Sequence, residues 1–122
     1  MTMKLPQVDP ARMAEEWAAD KDVLANLVAN GDVPSIPRAI DVSFRGSEEA
    51  LLALTVKADE FGFTMLDREE QDGALYLFLE REQKTDEASI KALTEICLQI
   101  EILFGIEYDG WGCEAMTTGS VH

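Results

Sequence analysis

Histidine, cysteine and basic charge are all scarce in this chain of 122 residues. The one histidine, His122, is the last residue, so no imidazole stands inside the chain to serve as a base for a serine or cysteine nucleophile. No Gly-x-Ser-x-Gly elbow is present either, and Gly105, Gly110 and Gly112 follow an expected helix instead of opening one, which excludes a phosphate-cradling loop. The two cysteines, Cys97 and Cys113, form no close-spaced Cys/His group, so neither a metal site nor a cofactor is expected. Long apolar runs are missing: none approaches the roughly 20 residues that span a bilayer, and Met1 to Val8 carries no apolar core with a cleavage site. These absences predict a cytoplasmic protein that is no enzyme.

What the chain has in quantity is acid. Its 24 aspartates and glutamates face 10 lysines and arginines, a formal charge of -14. Nucleic-acid binders draw affinity from neutralising phosphates with basic patches, so direct nucleic-acid binding is not expected. An acidic exterior suits a basic protein surface, which it attracts over about 8 to 10 Å at physiological salt; it also simply keeps a protein soluble.

The order of elements is legible in punctuation and period. Asp9-Pro10 caps a helix over about 10–29 whose apolar stripe (Met13, Trp17, Leu24, Leu27, Val28) lapses near Asp20-Lys21, where a break is expected. Two prolines make 31–37 a connector. Ile40, Val42 and Phe44 alternate with Asp41, Ser43 and Arg45 in a half-buried strand, and Ser47 caps a second helix that ends at Gly62. A strand over 63–67, a turn at Gln71-Asp72-Gly73 and a strand over 74–82 form a hairpin. A third helix runs from about 86 to Phe104, with Ile90, Leu93, Cys97 and Ile100 on one face and Leu98 and Ile102 nearly opposite. A short strand over 106–108 comes last. Right-handed connections turn this βαββαβ order into an α+β, ferredoxin-like sandwich with an added N-terminal helix. The organisation expected is helix and connector over 1–37, core over 38–115 and a flexible tail over 116–122.

Two places hold candidate binding residues. Tyr76 and Phe78 alternate with Leu75, Leu77 and Leu79, and so point away from the helices, as the base-stacking aromatics of RNA-recognition sheets do. Their expected neighbours Asp41, Ser43, Glu80 and Glu107 repel phosphate, and Trp17 and Leu24 of the first helix, or a second subunit, are expected to cover them. A homodimer through this face, or through the Leu98 and Ile102 stripe, stays open. The second place is Tyr108-Asp109-Gly110-Trp111-Gly112, where two aromatics and two glycines either bind a partner or plug the core.

Phe104-Gly105-Ile106-Glu107-Tyr108-Asp109-Gly110-Trp111-Gly112 resembles the C-terminal signature of the RraB family, regulators of ribonuclease E activity. The resemblance extends back over roughly 20–113, through Asn30-Gly31-Asp32, Phe61-Gly62-Phe63-Thr64 and Asp72-Gly73. It implies a small acidic cytoplasmic protein of bacteria, an α/β sandwich that binds ribonuclease E and inhibits its cutting of RNA; signature and charge together make Tyr108, Asp109 and Trp111 the candidate partner-binding residues to test first. One departure stands out: the best-known members carry a long acidic tail after the signature, where this chain has Met116-Thr117-Thr118-Gly119-Ser120-Val121-His122.

Overall fold

The structure, a computed structural model, describes residues 5–117. Its elements follow in the order α1 (Pro10–Ala29), β1 (Arg38–Gly46), α2 (Glu48–Lys57), a 3-10 turn (Ala58–Phe61), β2 (Thr64–Gln71), β3 (Ala74–Gln83), α3 (Glu87–Phe104) and β4 (Glu107–Gly112). The strands form one antiparallel sheet in the order β2-β3-β1-β4, with β1 and β3 central. This is the ferredoxin-like arrangement with an extra N-terminal helix.

Caps set the helix starts. Asp9, Ser47 and Asp86 each accept a backbone N–H of the first turn, and Gly105 ends α3 in the left-handed region at φ 64°. The β2-β3 hairpin turns on Asp72 and Gly73, both at positive φ (52° and 81°), the pairing a tight twisted hairpin demands.

One sheet face carries the core. Val42 pairs with Leu79 and Phe44 with Leu77, all four inaccessible, and Leu51 and Leu54 of α2 and Ile90, Leu93, Cys97 and Ile100 of α3 close over them. Leu98 is also fully buried, because α1 lies along that side of α3, whereas Ile102 is about half exposed.

Several boundaries differ from those read in the sequence. α1 does not break at Asp20-Lys21: the lapse in the apolar stripe is filled by Asp20 itself, which is only 3% exposed and hydrogen-bonded. β2 runs on to Gln71, its exposed, charged residues hydrogen-bonded through the backbone to β3, and β4 runs through the whole pentapeptide instead of stopping at Tyr108. α1 does not cover Tyr76 and Phe78: it packs on α3, where Lys91 Nζ sits 5.2 Å above the Trp17 ring. Of the expected tail, Met116 is held by backbone bonds to Val33 and Asp32, and 118–122, including His122, lie outside the described residues.

Candidate functional site

In β4 the aromatic signature is built into the strand by a bulge. Val42 and Phe44 of β1 both face the core; their partners, Trp111 and Tyr108, are three apart in sequence instead of two. The additional residue is absorbed at Asp109-Gly110, where Gly110 takes φ 103°. Tyr108 and Trp111 therefore both turn inward. Tyr108 is 3% exposed with its ring 5.5 Å from Phe44, Trp111 is half-buried against the core, and Asp109 alone of the three presents an exposed side chain.

Asp20 is the node that binds these elements. One carboxylate oxygen accepts the Trp111 indole N–H at 2.9 Å and the other accepts the hydroxyl of fully buried Thr94, joining α1, α3 and β4. One helical turn or two away, Arg12 pairs with Glu16 and Glu101, and Glu101 accepts the backbone N–H of Tyr108 at 3.0 Å. The bond to Glu101 is the main reason the Arg12 guanidinium is held more firmly protonated than usual. Tyr108 Oη sits beside the Cys97 thiol with no partner in hydrogen-bonding geometry, and burial pushes the pKa of both groups far upward, so that both stay protonated. Neither is poised to react.

A second node locks the start of β1 to the connector that precedes it and to the chain that follows β4. Arg38, 5% exposed, pairs with Asp32 and donates to the Val33 and Ile36 carbonyls. Asp32 also accepts the Thr85 hydroxyl and the Met116 N–H. Burial acts to raise the Asp32 pKa, but the bonds from Met116, Arg38 and Thr85 outweigh it and leave the carboxyl below its ordinary range. Both nodes are structural ties: the partners of Asp20 are remote in the sequence, and Asp32 joins nearby Arg38 to remote Thr85 and Met116.

Tyr76 and Phe78 lie where period two placed them, on the face away from α2 and α3. Both are half-buried, and their rings stack on one another at 6.5 Å with 24° between planes. Register puts Asp67 and Ser43 beside Phe78, Glu69 and Arg45 beside Tyr76, and Asp41 opposite Glu80. Arg45 is paired with Glu107 at 2.8 Å. An RNA backbone meets carboxylates here. Among the described residues no His/Cys/Asp/Glu group has the geometry to hold a metal, and no helix is long and apolar enough to cross a membrane.

A family model, Regulator of ribonuclease activity B, matches residues 17–113. A protein of Aeromonas salmonicida (strain A449) named Regulator of ribonuclease activity B is 32% identical over 105 residues, covering 80% of this chain and 91% of that protein.

Proposed function

The chain belongs to the RraB family of regulators of ribonuclease activity, and we propose that it acts in the bacterial cytoplasm as a non-catalytic inhibitor that binds ribonuclease E and slows its cutting of RNA. The observation that carries this reading is how the cations are spent. Arg12, Arg38 and Arg45 are paired with the protein's own acids, and Arg81 is half-buried over the Phe63 ring at 4.6 Å. The formal charge of -14 is therefore borne by an exterior with few free counter-charges, suited to a basic protein surface and adverse to RNA. Within the signature, Asp109 is the contact, while Tyr108 and Trp111 hold the strand that presents it.

The test is binding of purified ribonuclease E at rising salt, alongside its cleavage of a reporter RNA. Binding at about 50 mM salt that fades by about 500 mM, with slowed cleavage, is expected of a charge-steered complex. No association at the low-salt end refutes the reading.

A further inference from the structure

The sheet face opposite α2 and α3 combines three features. Its centre is the stacked pair Tyr76 and Phe78, a flat apolar platform. On one side of the platform lies a shallow depression of about 310 Å³ lined by Leu66, Asp67, Glu69 and Phe78, opened by the bulge that sets Leu66 out of register. At one end of the face a second depression, of about 580 Å³, gathers Asp41, Glu80 and Glu82. Asp41 and Glu80 are half-buried and directly opposite one another, a like-charge pairing that costs stability in a free sheet and is relieved when a cation settles between them. The described cations here are already engaged: Arg45 on the face by Glu107, and Arg38, which lines the second depression, by Asp32.

We propose that this face is a docking surface for an arginine-bearing, extended segment of a protein partner, with Tyr76 and Phe78 as the platform and Asp67, Glu69, Asp41 and Glu80 as counter-charges. The proposal rests on the reading that the partner is a protein, and adds where and by what chemistry it is held. Guanidinium fits better than ammonium. It is planar, weakly hydrated and stacks on aromatic rings while its fork donates to carboxylates, whereas a lysine head is a compact hydrated charge. Its methylene stem has Leu66 and Phe78 to lie along. A second copy of this face is disfavoured by its own charge, and RNA by its phosphates.

The experiment uses the whole protein and a fluorescent peptide of alternating arginine and serine, with its lysine counterpart of equal length and charge. The arginine peptide is expected to bind about threefold or more tightly than the lysine one, and Phe78→Leu to erase that preference. Asp67→Asn/Glu69→Gln, on an exposed strand, is expected to weaken binding about tenfold. The charge-matched control Asp22→Asn/Glu95→Gln, exposed on α1 and α3, is expected to cost less than about twofold. Equal losses from the two double variants, equal peptide affinities untouched by Phe78→Leu, or an RNA oligonucleotide that competes for the face each overturn the proposal. Ribonuclease E separates the two readings: capture undiminished by Asp67→Asn/Glu69→Gln removes the face and leaves the regulator, and peptide binding without ribonuclease binding does the reverse.

Discussion

Replacing Trp111 with alanine tests whether the signature aromatics hold the molecule together. A fully buried tryptophan costs about 3–5 kcal/mol to truncate; Trp111 is half-buried, so its apolar share is about 2 kcal/mol. The indole N–H bond to the Asp20 carboxylate, at 2.9 Å, adds about 1–2 kcal/mol, since the acceptor is charged and stays buried. The total is about 3–4 kcal/mol, which lowers the melting temperature of a domain this size by roughly 10–15 °C. Trp111→Phe separates the two parts: it keeps most of the apolar area and loses the N–H, so about 1–2 kcal/mol is expected. Because Thr94 shares the same carboxylate, Trp111→Phe and Thr94→Val should be non-additive in a double-mutant cycle. Urea unfolding followed by circular dichroism reads all of these. If Trp111→Phe unfolds within about 0.5 kcal/mol of the parent, the Asp20 node is not what secures α1 and β4, and the reasoning fails.

Other outcomes follow from the buried groups. Asp32 is more acidic folded than unfolded, so its share of stability is present above the unfolded value near about 3.9 and is lost as pH falls through the folded value. Acid titration of unfolding should therefore steepen below about pH 5, and Asp32→Asn, less stable at neutral pH, should show a shallower acid limb. Tyr108→Phe removes a buried hydroxyl that has no hydrogen bond, and is expected to be neutral or to stabilise by up to about 1 kcal/mol in the same urea assay; a clear loss would mean the Cys97 contact matters. With Ellman's reagent the native protein should expose Cys113 alone, because Cys97 is fully buried and its thiol pushed up in pKa, and both should react after unfolding in urea.

Where a residue's role depends on near neighbours, the sequence displayed it. Asp9-Pro10, Ser47 and Gly105 mark helix ends by chemistry that acts within one turn, and the alternation of Ile40, Val42 and Phe44 assigns a face to β1. Asp20 was illegible for the opposite reason. A charge in a helix reads as solvated, and the partners that bury it, Thr94 and Trp111, are 74 and 91 residues away. The same limit hides the seat of α1, whose polar anchors to α3 are invisible to a hydrophobic period, which is why its stripe reads as a cover for Tyr76 and Phe78. β4 was cut short because the Gly110 bulge breaks the two-residue alternation by which strands are recognised. The pentapeptide itself was readable as either a contact or a plug, and the geometry turns Tyr108 and Trp111 inward while leaving Asp109 outside.

The seating of α1 bears on how the chain emerges during synthesis. The helix is made early, yet Glu101, Thr94 and Trp111, which anchor it, are made late. At about 5–20 residues per second, the 91 residues between Asp20 and Trp111 correspond to roughly 5 to 20 seconds. Until α3 has emerged Met13, Trp17 and Leu24 lack the surface they pack on in the finished protein, so the docking of α1 is a late event.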